Sequence, residues 1–528
     1  MRSRWLYLFF IVALPLLSSC RKAETPLPKQ TLTINIGSDP TSVDPRKARD
    51  LNAIALCRML FEGLTRISPQ GTVELALAEK VDVSADGLRY TFHLRPSLWS
   101  NGEPVTSQDV AESWKRVLDP EFATDIAYQL YLIKHAKQVK GAQVPKDMLG
   151  LTTPDAQTLV VELEQPTPYF LEACAMSSYF FVPHTTSTEE LNLTTLVGNG
   201  PFVLASWRHN DEIRVVKNQR YWEAPRVKLN EMALLMLNAD TEMRLFEEEK
   251  LDWAGSPLST IPVDAIQHLK RLNALKTSPL TGTYFLRVNV AHPKSPLRSA
   301  AFRQALAKSL DRAAIVEHIL QAGQTPATSL VPPDMGLTVR VRNSLSAQEL
   351  MDKALQELNL TREALEPLEL NFSPSVAYTL PIVQAIQKQW EQALGIQVKL
   401  QMLEPKVHFQ KVKQKDFQLA IGNWVADFYD PVNFLEVFKE KQASSNNTNW
   451  ENSEYADLLT RSASIQDAQE RKQHLSKAET ILMQEMPVIP IFHFAMAYLQ
   501  RPDLEGVIVS PIGQIDFRWA KIDESRAR

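Results

Sequence analysis

Three cysteines in 528 residues are too few for a disulfide scaffold or a Cys-rich metal module. Charge of one sign is lacking too. The 57 Lys and Arg stand against 61 Asp and Glu with no concentrated basic block, which argues against nucleic acid or anionic lipid as the main partner. Beyond the first twenty residues no apolar run reaches the length of a membrane span. The common catalytic signatures are missing: no HExxH for zinc, no GxxxxGK[ST] for nucleotide phosphates, no GxSxG nucleophile elbow. Gly198-Asn199-Gly200 begins like a dinucleotide loop but lacks the third glycine, and reads as a turn before Pro201. The 10 His are scattered, none with a His or Cys at metal-ligand spacing. Carboxylates are plentiful and leave paired-acid catalysis open, although no pair stands out.

What is present is an apolar fraction of 44%, enough for sizeable cores. At about 150 residues per domain the length suggests roughly three structural units. Arg2 and Arg4 precede an apolar run from Trp5 to Leu17, 13 residues broken only by Pro15. That is too short to span a bilayer and suits the h-region of a secretory signal. The run ends in Leu17-Ser18-Ser19-Cys20, which resembles the bacterial lipoprotein processing box. That resemblance implies a signal peptide at 1–19, an acylated Cys20 and a polar tether to residue 30. Cleavage would leave 509 residues and remove two arginines and no acid, taking the net charge from −4 to −6. Cys57 and Cys174 sit in the apolar contexts LCRMLF and EACAM and read as buried free thiols, with a disulfide as the other option.

Strand-like alternation occurs at Leu32, Ile34 and Ile36, at Leu88 to Leu94, and at Leu159 to Leu163. Thr106 with Asp109 three residues on predicts a capped helix to Val117. Phe302, Ala305, Leu306, Ala313, Val316 and Leu320 share one face of a predicted helix from about Arg298 to Gln321, ended by Gly323. Another runs from about Pro381 to Leu394, stops at Gly395 and leads into a strand at Ile396 to Met402. Alternation of strands and helices indicates an α/β protein. The polar stretch Ala443 to Asn449 reads as one exposed loop.

An ordered series of blocks completes the picture. It begins with Asp39-Pro40-Thr41-Ser42-Val43-Asp44-Pro45 and Leu60-Phe61-Glu62-Gly63-Leu64. Asp86 to Arg95 then leads to Trp99-Ser100-Asn101-Gly102 and Pro104 to Val110. Asn199-Gly200-Pro201-Phe202, Tyr221-Trp222, Phe302 to Arg312 and Leu394 to Val398 follow. In this order, over about residues 31 to 515, the chain resembles the extracellular solute-binding proteins of family 5, the oligopeptide and dipeptide receptors of ATP-driven importers. The resemblance implies two α/β lobes joined by crossing strands, with ligand enclosed between them. The main domain of the first lobe would comprise 31–55, 185–281 and 497–528, with a subdomain inserted at 56–184. The second lobe would be 282–496. It also implies no cofactor and no bond-making chemistry. The expected partners are a short peptide with a free amino terminus and ABC permease subunits, the receptor being an exported, membrane-anchored monomer.

The sharpest local clue is Asn423-Trp424-Val425-Ala426-Asp427 after the apolar run Leu419 to Ile421. An acid following a buried strand needs exposure or a partner, and a helix cap or an internal salt bridge would serve. By resemblance, Asp427 matches the family position that pairs with the peptide's α-ammonium, a charge-assisted contact. Trp424 would wall a side-chain pocket, and the backbone of Asn423 and Val425 would pair with the ligand as an added strand. Arg49 to Leu51 would supply facing backbone from the other lobe. Phe285, Tyr378 and Phe494 would be pocket walls or plain core residues. Basic residues that meet a ligand carboxylate in relatives are replaced by apolar Val412 and Ile421. Lys411 and Lys413 flank the first, but strand alternation would turn them away. Arg49 and Arg287 stand where relatives have pocket acids, and Gly282 and Val425 where some have a disulfide. Two other functions remain open: a receptor of this fold for a non-peptide ligand (metal chelate, haem or sugar), or a surface lipoprotein for adhesion or chaperoning.

Overall fold

A computed structural model of the chain describes residues 30–523 and Ser525, apart from 70, 187–190, 192–195, 293–294, 342–343, 375 and 466. The signal, Cys20 and nearly all of the tether lie outside the described residues. Leu32 and Ile34 are fully buried on alternate positions of the strand Thr31–Asn35, as the pattern of the sequence predicts. That strand belongs to an eleven-stranded mixed sheet. A separate four-stranded antiparallel sheet is made by Ala78–Val83, Arg89–Leu94, Thr158–Glu162 and Leu151–Asp155.

Two hydrophobic cores divide the chain. One draws on residues from Leu32 to Leu258 and from Leu504 to Ala520. Another draws on residues from Tyr284 to Phe492, with a neighbouring cluster from Phe285 to Val488. Two long antiparallel strands, Lys276–Val288 and Val488–Gln500, run between these regions. Val488–Gln500 pairs with Trp253–Gly255 near its C-terminal end, and Lys276–Val288 pairs with Leu419–Val425. Their register shifts between Pro279 and Thr283. A bulge at this point bends the ribbon where it passes from one core to the next.

Local signals in the sequence are realised at helix ends. Thr106 and Asp109 form a reciprocal capping box on Ser107–Val117. Thr379–Leu394 ends at Gly395, whose φ of 69° suits a residue without Cβ. Cys57 and Cys174 are buried and free, and burial pushes both thiols up in pKa.

Several expectations need correction. The helix predicted over 298–321 is interrupted. Ala300–Lys308 ends at Ser309, and Asp311 caps a new start at Arg312 by accepting from Ala314 N at 2.9 Å. A wider π turn at Val316–Leu320 follows and closes at left-handed Gln321, two residues before Gly323. Ala313 is exposed and Ile315 buried. The aspartate's preference for a cap therefore wins over the apolar periodicity. The 443–449 stretch is not an exposed loop, because Asn446 and Thr448 are fully buried. Asn446 Nδ2 donates to Trp450 O at 2.9 Å, and its Oδ1 accepts from Thr448 Oγ1 at 2.8 Å. Polar composition reads as exposure only when side chains do not bond one another. Val412 lies on a helix, Pro405–Gln414, rather than a strand. Glu404 caps it and Pro405 opens it. Gly198-Asn199-Gly200 does more than turn. A Cβ at either glycine would strike backbone of Leu60 or its neighbours within 2.9 Å. Asn199 clasps the backbone N–H and carbonyl of Glu62.

Candidate functional site

The strand Leu419–Val425 has one closed and one open edge. Along the closed edge it pairs with Lys276–Val288 from Val288↔Leu419 to Gly282↔Val425. On the other edge the strand Leu368–Phe372 reaches only Leu419 and Ala420. Asn289 N donates to Gln418 O at 3.0 Å, and Ala426 N to Thr281 O at 2.9 Å. With a period of two, the backbone groups of Ile421, Asn423 and Val425 therefore turn toward the open edge. Asn423 and Val425 are exposed there. This edge can accept another extended chain.

Asp427 follows where the strand ends, half-buried. It forms no ion pair among the described residues and caps no helix, so neither structural alternative for this acid holds here. Its partner is Asn433, whose Oδ1 accepts from Trp424 Nε1 at 2.7 Å and from Asp427 N at 3.3 Å. Burial pushes the Asp427 carboxyl above the usual aspartate value, and the Asn433 side chain offsets part of this. A carboxylate desolvated this way gains most from a cation that arrives from outside.

The turn that carries it is braced on several sides. Asp430 accepts two bonds from Arg471, at 2.6 and 2.9 Å. Tyr429 OH donates to Asp334 O at 3.0 Å. Phe428 stacks on Tyr169 with centroids 4.4 Å apart and planes at 7°, and so packs against the first core. Tyr128 is near enough that the Asp427 charge raises its phenol, after burial as the larger cause.

The remaining predicted residues scatter. Gly282 and Val425 stand directly opposite each other, and a Cβ on Gly282 would lie 2.9 Å from Val425 Cγ2 and 3.0 Å from Phe494 Cδ2. Phe494 and Tyr378 are half-buried in an aromatic cluster with Tyr284 and Phe492. Phe285 is buried, 2% exposed in the cluster that holds Leu330 and Phe434. Tyr284, Leu286 and Val288, on the opposite face of its strand, are buried in the other cluster. Arg49 is held by Asp125 in an exposed ion pair. Leu51 is exposed at the start of the helix Leu51–Leu60. Lys411 pairs with Asp416 at 2.8 Å, and Lys413 is exposed on its helix.

Arg287 crosses the face of the sheet to donate to Ile421 O at 3.2 Å, above Phe285 at 5.2 Å. His408 Nε2 lies 3.3 Å from the same carbonyl. Sequence reasoning missed Asn433, His408, Tyr169 and Phe428. Phe428 and Asn433 follow Asp427 closely in the chain, His408 and Tyr169 reach the strand or its turn through tertiary packing, and no local pattern marks any of them. Surface grooves of about 610 and 680 Å³ lie elsewhere, beside Lys472 to Thr480 and Gly395 to Lys399. Among the described residues no His, Cys, Asp and Glu cluster suits a metal ion, and no helix is long and apolar enough to cross a membrane.

The family model of the bacterial extracellular solute-binding proteins, family 5, matches residues 72–446. The chain is 37% identical over 507 residues to the oligopeptide-binding protein OppA of Bacillus subtilis, covering 93% of this chain and 92% of that protein. Its fold matches the unliganded open form of the murein tripeptide-binding protein MppA of Escherichia coli with a TM-score of 0.82, at 28% identity, covering 94% and 97% of the two chains. Haemophilus influenzae OppA in complex with the peptide RPPGFSPFR matches with a TM-score of 0.74 at 26% identity, covering 94% and 99%. The two-lobed α/β architecture is shared with these proteins. The chain belongs to the bacterial extracellular solute-binding proteins of family 5.

Proposed function

We propose that this protein is the substrate-binding component of an ABC importer. It captures short peptides between two lobes and presents them to a membrane permease. The observation that carries the reading is Asp427: a half-buried carboxylate without a cation among the described residues, at the end of a strand whose outer edge is open. A peptide laid along that edge pairs through its backbone with Asn423 and Val425, which is indifferent to ligand sequence. Its α-ammonium supplies the charge Asp427 lacks. Trp424, fixed by Asn433, flanks the first side chain, and the Arg49 to Leu51 segment closes on the ligand from the other lobe.

In this reading the first lobe is 31–55, 185–281 and 497–528 with 56–184 inserted, and the second is 282–496. The separate hydrophobic cores and the two long strands between them support that division. Closure is a hinge motion, with ligand stabilising the closed state. Cys20 carries the lipid that tethers the exported protein, which acts as a monomer, and acyl chains on Cys20 anchor it.

Calorimetric titration with matched peptides tests the proposal. Free-amine peptides of three to five residues should bind, and their N-acetylated counterparts should bind at least tenfold more weakly. Equal affinities would remove Asp427 as the anchor. Failure of every peptide to bind would remove the function. Affinity should also fall as pH drops through the raised Asp427 value, because protonation discharges the carboxylate. It should fall again above about pH 8 as the α-amino group loses its proton.

A further inference from the structure

Several arginines removed from water in the described residues are well supplied with partners, and Arg287 differs from them. Arg303 donates to the carbonyls of Glu485, Leu297 and Arg298. Arg312 donates to those of Pro490, Ala307 and Leu310. Arg518 holds Glu62 and Asp516. Arg287 makes one hydrogen bond, to Ile421 O, and has no carboxylate partner among the described residues. It reaches that carbonyl only because residue 422 is glycine. A Cβ on Gly422 would lie 1.6 Å from Arg287 Nη1, so the guanidinium occupies the space of a missing side chain.

The carbonyl it reaches lies on the open edge of the site strand. His408, projecting from the helix Pro405–Gln414, converges on the same oxygen, and its Nδ1 is buried with no partner among the described residues. Two basic side chains and one backbone carbonyl thus meet where an added chain would pass, with most of the guanidinium donors unspent. Burial lowers the pKa of both side chains, and for His408 the nearby Arg287 charge lowers it further. An arriving anion would relieve that cost.

We propose that Arg287, passing over Gly422 and joined by His408, forms a receiving site for a carboxylate of the bound ligand. The inference rests on the peptide-capture reading, and it sets a specificity: one anionic group at a fixed distance from the ammonium end. Ile421 and Val425 are four strand positions apart, about 13 Å at ~3.3 Å per residue. The ligand amine lies at the Val425 end, so the anion lies at about the reach of an extended tri- to pentapeptide. Its source is the C-terminal carboxylate of a peptide of that length, or an acidic side chain in a longer one. A planar guanidinium matches a carboxylate through two parallel bonds, which a lysine could not reproduce.

Calorimetric titration of the whole soluble protein with two series of free-amine peptides separates these sources. One series of three to six residues carries either a C-terminal carboxylate or a C-terminal amide. Another, of seven residues and amidated, carries Glu or Gln at each position from three to six. At one length or position the carboxylate should bind at least tenfold more tightly than its neutral twin. In Arg287→Gln, and independently in Gly422→Ala, which displaces the guanidinium, that ratio should fall to near one. The melting temperature of each variant confirms that it is folded. The wild-type ratios need no variant at all. If carboxylate and neutral ligands bind equally throughout while N-acetylation still weakens binding, the anion site is wrong and the peptide reading stands. If the ratio survives both substitutions, the anion is held elsewhere and the assignment falls. If nothing in either series binds, both readings fall together.

Discussion

Buried charge is treated in opposite ways in two regions of this protein. In the region of the first core, Glu62 and Arg518 are each 1% exposed and sit in a closed network. Arg518 bonds Glu62 and Asp516; Arg66 bonds Glu62, Glu223 at 2.6 Å and Glu74 at 2.6 Å; Tyr221 OH donates to Glu62 at 2.9 Å. Burial alone would raise the Glu62 carboxyl, but the two arginines outweigh it and hold it below the usual value. At the site strand Asp427 and Arg287 are also removed from water, yet neither has an ionic partner among the described residues. Residue types are similar in both places; the network is the more deeply buried of the two, yet it is the site strand whose charges lack ionic partners among the described residues. On the function proposed above, the completed network serves the scaffold, whereas the unpaired charges at the site strand await a ligand.

The comparison can be broken most forcefully in the network. Arg518→Met leaves Glu62 without its closest cation and should cost about 3–5 kcal/mol of stability, read as a shift of the urea midpoint, with peptide affinity per folded molecule unchanged. Asp427→Asn should do the reverse. Peptide affinity should fall by about 2–5 kcal/mol, while the melting temperature of the empty protein stays level or rises, because burial already disfavours that carboxylate. A large loss of stability in this variant would place Asp427 with the scaffold.

A third region sharpens the contrast. Glu479 is fully buried with one oxygen on Val331 N at 2.7 Å and the other without a partner among the described residues. Burial pushes it up to about 8. A raised folded-state pKa means that its contribution to stability is fully present below the unfolded value near 4.5. That contribution is lost as pH rises, the loss being complete near 8. Glu479→Gln should therefore flatten the decline in stability across that window, measured by unfolding at pH 5, 7 and 8, and leave peptide binding alone. The smallest effect concerns the Tyr169–Phe428 stack, which joins the turn bearing Asp427 to the first core. Single alanine substitutions and their double mutant should give a coupling of about 1 kcal/mol in peptide affinity. Zero coupling would show that the stack does not feel the ligand.

Much of the fold was legible in the sequence because its signals are local. Thr106 and Asp109 are three residues apart, Gly395 directly follows its helix, and Leu32 and Ile34 alternate. Local signals also misled where two of them competed. Asp311 broke a helix that the apolar stripe continued, and Asn446 with Thr448 turned inward because they bond each other and Trp450. Asp427 could be singled out because an acid after an apolar strand is locally anomalous. Arg287 stood out only as a replaced acid, since its reach over Gly422 joins residues 134 positions apart. Whether Phe285 walls a pocket or packs in a core was not legible, because apolar residues fill both faces of that strand and nothing local says what each face meets.

By itself, then, the sequence determined the family, the α/β class, the helix caps and the presence of an unusual aspartate. Periodicity, capping and ordered motifs act over a few residues and survive in one dimension. Only the tertiary structure decided which strand edge stays open, which charges find partners and which remain unspent. Those outcomes depend on desolvation and on pairings between distant segments, and a carboxylate or guanidinium has no functional meaning until its neighbours in space are known.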